Sequence, residues 1–469
     1  PAYYYSDNQK TLNSGHPMNN IEMLNCLSFN HKLKTKEIPA MYIKTIESKN
    51  ACENKLNLAF DVGKEKLDLY TEINTQSIQD SFDNQTLVIE HKLFEYRQMA
   101  FDAGYDGIQV IAEPTGVYHN KLFRITRKMG EKTAIVNPES VHKFKVIESN
   151  DTGKTDSKDC RVIFLLAKYD KILIDRDIQK EYTILRHLHT QYVDLEKSYV
   201  GIRCKIYSLL EELYPDYSLS IDFLYTESGR QLVKRFSANP YKIVKYGYSF
   251  FFKRMKKNAP RIRQTTIEKL WHDALVSVRH QLDTDYVLIL ESHFQSLWVE
   301  FLFIEARKNE IKLKMESSYE QLRLSDPALP YPVKGIITKF RIAQLLAETG
   351  PLSDFKSINQ LLRYAGLNIR ERQSGQYTGQ NHISKKGRSN LRRVLGYIVL
   401  PLVKKKALFG SRYHAKRDKG MPGNKAMVAM MRKFLKVFYG WYNSDEPFDI
   451  NRIFLDEHQF KLLKEPVEV

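Results

Sequence analysis

Cysteine is scarce in this chain. There are four among 469 residues, at positions 26, 52, 160 and 204, and no two of them form a C-x-x-C pair. The thirteen histidines are scattered and supply no second ligand pair at zinc-binding spacing. We therefore expect neither a zinc site nor a disulfide framework, and we interpret the thiols as ordinary residues of a reducing cytoplasm.

Uninterrupted apolar runs are also short. The longest, at residues 395–403, is interrupted by Pro401 and falls well below the ~18 residues that span a bilayer. No signal-peptide pattern is recognisable, and because the chain opens on Pro1, Met41 is a candidate for the natural start. We expect a soluble, cytoplasmic protein without a membrane partner.

Basic residues, in contrast, are abundant and unevenly placed. The net charge is +18, and residues 331–440 contain 23 Lys and Arg against 4 Asp and Glu, which leaves the rest of the chain near neutrality. Most charge runs are only solvated surface. Concentration of the whole excess in one region nevertheless favours a polyanion, such as nucleic acid, as the partner of that region.

Hydrophobic periodicity predicts an α/β domain with a mixed sheet in the first part of the chain. Strands are predicted at residues 56–61, 66–73, 86–90, 108–116 and 132–138, and helices at 92–104, 118–129 and 154–168. Two long helices follow, at about 181–213 and 285–324. Their spacing predicts an antiparallel hairpin or coiled coil, with an ordinary helical bundle as the alternative.

These patterns divide the chain into five predicted parts. They are an irregular extension (1–54), an α/β domain (55–170), a helical or coiled-coil oligomerisation region (171–330), a basic and mainly helical domain with a glycine-rich centre (331–440) and a mixed-charge tail (441–469).

Acidic residues in the α/β domain suggest phosphodiester chemistry. Asp61 closes the first apolar strand, Glu113 follows the apolar VIA before a tight turn, and Asp156 and Asp159 are spaced i, i+3 on one helix face. Two-metal chemistry needs several carboxylates on fixed elements, and this is the layout of a ribonuclease-H-like metal site. Hard oxygen ligands favour two Mg²⁺ ions, with Mn²⁺ as an alternative.

Each acid taken alone has a plainer interpretation. A strand-end aspartate is usually a turn or cap residue, and an i, i+3 acid pair is usually a solvated helix face. The hypothesis therefore depends on all four acids in order, each in the expected context.

Four stretches of the first domain resemble one family. FDVGKEKLDLY, AEPTGVY, IVNP and KTDSKDCRV are similar to the amino-terminal, RuvC-like domain of DEDD-type insertion-sequence transposases, which include the Piv DNA invertases and the bridge-RNA-guided recombinases. The resemblance implies that Asp61, Glu113, Asp156 and Asp159 form the metal site.

The basic region resembles the second domain of the same family, from LLAETGPLSDF to KKGRSNLRRVL. The resemblance implies that Ser374, in its S-G dipeptide, is the nucleophile that joins DNA covalently. Ser384 is the rival, but it stands beside two lysines where a phosphate contact or a helix cap is simpler. The family's P-G-I-G turn is here PVKGIITKF, which keeps Gly335 and lacks the second glycine.

The resemblance also implies partners. We expect donor and target DNA, a guide noncoding RNA, and a homo-oligomer from dimer to tetramer, in the nucleoid of a prokaryotic cell. The expected phosphate-binding residues surround the serine: Arg372, Lys385, Lys386, Arg388, Arg392 and Arg393. A basic helix face with no ligand is their alternative role, and no RNA-recognition motif is recognisable.

Three other functions are alternatives to this interpretation. A phosphotransferase of the actin and sugar-kinase fold would share the D-x-G turn at Asp61 but should show further glycine-rich phosphate loops. A junction-resolving nuclease with the same acids would have no use for Ser374. An inactive, nucleic-acid-binding relative would be free to lose the four acids, and all four are present.

Overall fold

The computed structural model describes residues 54–114, 116–149, 156–174, 179–370, 373–374, 377–378, 382–444 and 448–449. It describes their side chains except at 147–149, 156–158, 173–174, 373–374 and 377–378. Nearly all of the predicted extension at 1–54, and most of the tail at 441–469, lie outside these ranges. The chain divides into two compact units, Pro1–Asp175 and Arg176–Val469.

The first unit is built on a mixed six-stranded sheet with the order β3-β2-β1-β4-β5-β6. Strands β1, β4 and β5 are parallel, and β2, β3 and β6 run antiparallel to their neighbours. The strands are β1 (Leu56–Val62), β2 (Lys66–Ile73), β3 (Gln76–Asp83), β4 (Ile108–Ala112), β5 (Lys132–Ile135) and β6 (Leu173–Ile174).

Helices cover both faces of this sheet, because its central strands are apolar on both sides. On one face, Leu58 and Phe60 pack in a core with Leu93 and Leu122. On the other, Ala59 and its neighbours pack with residues of the third and fourth helices. The helices are α1 (Thr86–Asp102), α2 (His119–Lys128), α3 (Pro138–Ser149) and α4 (Asp156–Lys168). This architecture is consistent with the predicted ribonuclease-H-like domain.

One predicted strand is wrong. Residues 86–90, TLVIE, were expected to be extended because Thr, Val and Ile favour strands. They form the first turns of α1, where Ile89 joins Leu93, Tyr96 and Ala100 on the buried face. Tertiary burial at helical spacing overrides the local propensity, and the third strand lies instead at β3.

The second unit begins with two long antiparallel helices, α5 (Lys180–Leu213) and α10 (Thr284–Ser325). Tyr182 near the start of α5 shares a core with Leu322 near the end of α10. Ile206 near the end of α5 shares another with Val287 near the start of α10. At ~1.5 Å per residue, the helices are about 50 and 60 Å long. The predicted hairpin is present, but coiled-coil supercoiling stays a prediction.

A helical lobe occupies the far end of this hairpin. We call residues 214–283 the tip lobe. Its helices pack around Phe236 and Phe251, both buried, in the core that also contains the adjoining ends of α5 and α10. The helices are α6 (Glu227–Phe236), α7 (Pro240–Tyr246), α8 (Tyr248–Asn258) and α9 (Gln264–Ser277).

The basic region is mainly helical, as predicted. Its core includes the first half of α5 and the last turns of α10. The helices are α11 (Lys339–Thr349), α12 (Ile358–Tyr364), α13 (Ser389–Leu402), α14 (Gly410–Asp418) and α15 (Gly423–Tyr442). Two short antiparallel pairs lie between α12 and α13: β7 (Ile369–Arg370) with β10 (His382–Ile383), and β8 (Gln373–Ser374) with β9 (Tyr377–Thr378).

One described helix, α10, is long and apolar enough to cross a bilayer by length and composition. Its apolar residues do not form one uninterrupted run, so the sequence pattern did not predict a candidate span. Phe294, Trp298 and Phe301 of this helix pack in the core next to the tip lobe. Burial within the second unit thus accounts for part of its apolar character.

Candidate functional site

Strand pairing places two of the predicted acids side by side. Strands β1 and β4 are parallel and pair Phe60 with Ala112. Asp61 and Glu113 each follow directly, so they lie at the same end of neighbouring strands. Both are half-buried.

Side-chain alternation puts the two acids on one face. Ala59 and Ile111 belong to the core between the sheet and α3 and α4. Because side chains alternate along a strand, Asp61 and Glu113, two residues further on, project to that same face. The acids of α4 lie on this side of the sheet as well.

A buried thiol connects α4 to the sheet. The Asp61 amide donates to Cys160 Sγ at 3.2 Å, and Cys160 Sγ–H donates to the Asp68 carbonyl at 3.1 Å. Burial, with smaller contributions from Asp61, Asp68 and Asp159, raises the pKa of Cys160 to about 12. The thiol therefore stays protonated and fixes α4 against β1 and β2, a role that the sequence argument missed.

Asp159 is buried and forms an ion pair with Lys145 of α3. Asp68 is the cross-strand partner of Asp61 and adds a half-buried carboxylate beside the same strand end. Neither Lys145 nor Asp68 was predicted from the sequence. Asp68 lies within the alternating KLDLY pattern. A single acid in such a pattern cannot be distinguished from an ordinary polar residue on the exposed face of a strand.

These acids suit a hard divalent cation in chemistry and position. All the candidate ligands are carboxylates, the donors that Mg²⁺ prefers, and Asp61, Glu113 and Asp159 lie on one side of the sheet. Among the described residues, no three His, Cys, Asp or Glu side chains are close enough together to hold a metal ion. The side chain of Asp156 is outside the described part.

The predicted nucleophile lies in a loop of the second unit. We call residues 366–388 the serine loop. The backbone of Ser374 pairs with Tyr377 in the β8–β9 hairpin, and its side chain is outside the described part. The rival Ser384 donates its hydroxyl to Asn368 Oδ1, and its amide donates to the Asn368 carbonyl at 2.9 Å.

Two glycines close the base of the serine loop. A Cβ on Gly387 would lie 2.4 Å from the Tyr364 carbonyl oxygen and 2.5 Å from the Gly366 amide nitrogen. Gly366 has a φ of 65° and Gly387 a φ of 155°, values that L-residues with side chains rarely adopt. Gly366 and Gly387 therefore allow the close backbone approach where the chain enters and leaves the loop.

A buried carboxylate anchors the same base. Glu348 Oε1 lies 2.9 Å from His189 Nδ1 of α5, and Glu348 Oε2 accepts from Arg388 Nε at 2.9 Å. Burial would raise the pKa of Glu348, but the His189 hydrogen bond and the Arg388 charge outweigh it and lower the pKa to about 2. Tyr364 donates its hydroxyl to the Glu348 carbonyl at 3.0 Å. Helices α5, α11 and α12 are thus linked to the end of the loop.

The basic residues expected to bind phosphate occupy two environments. Lys385 and Lys386 are exposed, and Arg393 is half-buried on α13. Arg388 pairs with Glu348, and Arg392 donates to the carbonyls of Ala365 and Gly387. Arg372 lies outside the described residues. Phosphate binding by these residues stays a prediction.

Two protein-family models match the chain. The model of DEDD transposases of IS110 elements, described as "Transposase", matches residues 58–215. The model of the transposase IS116/IS110/IS902 family matches residues 333–414. The first range contains all four predicted acids and the second contains Ser374, whereas residues 216–332 fall in neither. No curated protein matches the chain.

Proposed function

The chain belongs to the IS110 family of DEDD transposases, and we propose that it cleaves and rejoins DNA with the acids of its first unit and Ser374 of its second. The main support for the metal site is the placement of Asp61, Glu113 and Asp159 on one side of one sheet end.

Asp61, Glu113, Asp156 and Asp159 would hold divalent ions, which the family implies. Mg²⁺ is the ion we propose, because every ligand is a carboxylate oxygen. Bound there, the ions would neutralise negative charge that develops on the scissile phosphate. Asp68, beside Asp61 in the register of β1 and β2, would add to the negative potential that attracts them.

Ser374 is the proposed nucleophile. Its hydroxyl gives up a proton and forms an ester bond to phosphorus. The bond from phosphorus to one sugar oxygen breaks, and that oxygen takes up a proton. The new phosphate ester retains the bond energy of the phosphodiester that was broken. A hydroxyl of a second strand can therefore reverse the step without an external energy source. Ser384 is a weaker candidate because its hydroxyl already donates to Asn368.

Basic residues around the loop would hold the DNA backbone. We assign phosphate contacts to Lys385, Lys386 and Arg393, with Arg372 as a further donor. Arg388 and Arg392 would mainly fix the loop, because both donate to groups inside the unit. The high charge of residues 331–440 would make DNA binding strongly dependent on salt.

We further propose a homo-oligomer, from dimer to tetramer, because strand exchange brings two duplexes together. Helix α10 leaves four apolar side chains exposed: Leu288, Val299, Phe303 and Leu313. They lie on one side of the helix, because the spacings between them are close to multiples of the helical repeat. A second copy would cover this apolar stripe. We also propose a structured guide RNA and action at the nucleoid. Both are supported by the family resemblance alone.

A covalent adduct tests the mechanism. The protein is incubated with Mg²⁺, RNA transcribed from the flanks of its element, and labelled DNA that carries the element's ends, and the products are separated on denaturing gels. We expect a protein–DNA adduct that is lost in Ser374→Ala and in Asp156→Ala and retained in Ser384→Ala.

Two other results would change the assignment. Cleavage without an adduct, unaffected by Ser374→Ala, would replace the serine mechanism with a metal-dependent nuclease that uses water. DNA binding with no cleavage under any divalent ion would favour an inactive relative that only binds nucleic acid.

A further inference from the structure

All but the first two residues of the tip lobe lie outside both matched family regions, and the lobe has a strongly basic surface. Residues 228–267 contain eleven Lys and Arg and no Asp or Glu. Basic clusters are therefore not confined to residues 331–440. Acids elsewhere in the chain balance this second block, so it does not appear in the net charge of the remainder. Among the described ion pairs, two of the eleven take part, Arg230 with Glu305 and Lys242 with Glu291.

Helix α8 separates its apolar and basic residues by face. Phe251 and Met255 are fully buried against the lobe core. On the other side, Phe250, Lys253, Arg254 and Lys257 follow the i, i+3, i+4, i+7 spacing of one helix face. Lys253 and Lys257 are exposed and Arg254 is half-buried. The outward face thus combines positive charge with an aromatic ring.

Two aromatic rings form a stacked pair at the edge of this face. Tyr246, the last residue of α7, lies 5.0 Å from Phe250 between ring centroids, with 25° between the ring planes. Tyr246 is 53% exposed and Phe250 is 47% exposed. Because the two rings stack on each other, each has an outer π-face that a flat ligand could cover.

We propose that the tip lobe binds an unpaired DNA strand, with a base stacked on the Tyr246–Phe250 pair and phosphates on Lys253, Arg254 and Lys257. Positive charge complements the phosphate backbone, and aromatic stacking distinguishes unpaired bases from duplex bases, which already stack on one another. DNA is the occupant we assign because the family acts on DNA, and strand exchange exposes unpaired strands. The proposal rests on the proposed function in this respect alone.

Photo-crosslinking tests the location. The full-length protein is irradiated with a 20-nucleotide DNA strand that contains iododeoxyuridine, and the tryptic peptides are analysed by mass spectrometry. Trypsin cuts after Lys245 and Lys253, so the stacked pair lies in one peptide, residues 246–253. We expect a nucleotide adduct on that peptide. Adducts confined to residues 331–440 would overturn the proposal and leave the proposed recombinase function intact.

Matched variants test the chemistry. Phe250→Ala should weaken single-strand binding about tenfold by loss of stacking, whereas Phe94→Ala, at an exposed phenylalanine of α1, should not. Replacing Lys253 and Lys257 by Ala should reduce the slope of log affinity against log salt by about 1.4, at ~0.7 per phosphate contact. The control removes the same charge at Lys197 and Lys314. Equal effects in test and control variants would refute the assigned face.

The same assay identifies the occupant. Unlabelled RNA of the same sequence, duplex DNA and anionic phosphatidylglycerol vesicles are used as competitors. We expect the single DNA strand to compete best and to lose this advantage in Phe250→Ala. Stronger competition by RNA, by duplex DNA or by vesicles would overturn the assignment of an unpaired DNA strand.

Discussion

Replacing Glu348 by Gln tests whether the buried charge network holds the serine loop. The side chain keeps its size and loses its charge. Folding lowers the pKa of Glu348 from its ordinary 4.5 to about 2. At ~1.36 kcal/mol per unit of pKa, the folded unit favours the carboxylate over a neutral group by about 3 kcal/mol.

Thermal unfolding near pH 7 provides the assay. At ~2.1 cal/mol/K of unfolding entropy per residue, a loss of about 3 kcal/mol should lower the Tm of a unit of this size by ~5 °C. The control is Glu320→Gln, whose partner is Lys339 on the surface, and its Tm should not change measurably because exposed pairs contribute little. An unchanged Tm in Glu348→Gln would refute the reasoning.

The pH dependence provides a second check. Because folding depresses the pKa of Glu348, its contribution is complete above the unfolded value of 4.5 and is lost as pH falls toward 2. The difference in unfolding free energy between wild type and Glu348→Gln should therefore be constant from pH 7 to about 5 and shrink below 4.5. A difference that grows on acidification would contradict the assigned charge state.

Three further outcomes follow from the same structure. Gly387→Ala should destabilise the second unit by about 1–3 kcal/mol, measured by urea unfolding, because its Cβ would meet the Tyr364 carbonyl. Iodoacetamide at pH 8 should label the exposed Cys204 long before the buried Cys160, and equal rates would contradict the assigned burial. Lys145→Ala should tighten Mn²⁺ binding several-fold in calorimetry, because Lys145 neutralises Asp159; unchanged binding would count against a metal at Asp159.

Elements with long, regular periodicity could be predicted from the sequence, and their contacts could not. Helices α5 and α10 were predicted to within one residue at each end. The alternation of apolar and polar residues at helical spacing repeats many times along their 34 and 42 residues. The predicted strand at residues 86–90 was wrong because a stretch of five mostly β-branched and apolar residues fits two patterns. It matches the two-residue repeat of a strand as well as the 3.6-residue repeat of a helix. Tertiary burial of Ile89 decided in favour of a helix.

The candidate site shows the same limit. The position of Asp61 and Glu113 at a sheet end could be predicted because each directly follows a run of apolar strand residues. Lys145 and Cys160 could not, because their roles come from packing α3 and α4 on the sheet. The tip lobe was also missed, because a charge count over the remainder of the chain hides a basic block that acids elsewhere balance.

Two buried acids illustrate how charge balance separates a structural carboxylate from a candidate ligand. Glu348 has a guanidinium and an imidazole as partners, and the protein stabilises its anion so well that the pKa falls to about 2. Asp159 is also buried and pairs with Lys145, but it shares the surroundings of the Cys160 thiol with Asp61 and Asp68. Neighbouring carboxylates repel one another, and a divalent cation would relieve that repulsion. The first arrangement is complete within the protein, whereas the second would gain stability from a bound ion, and this is why we propose the metal site at the sheet end.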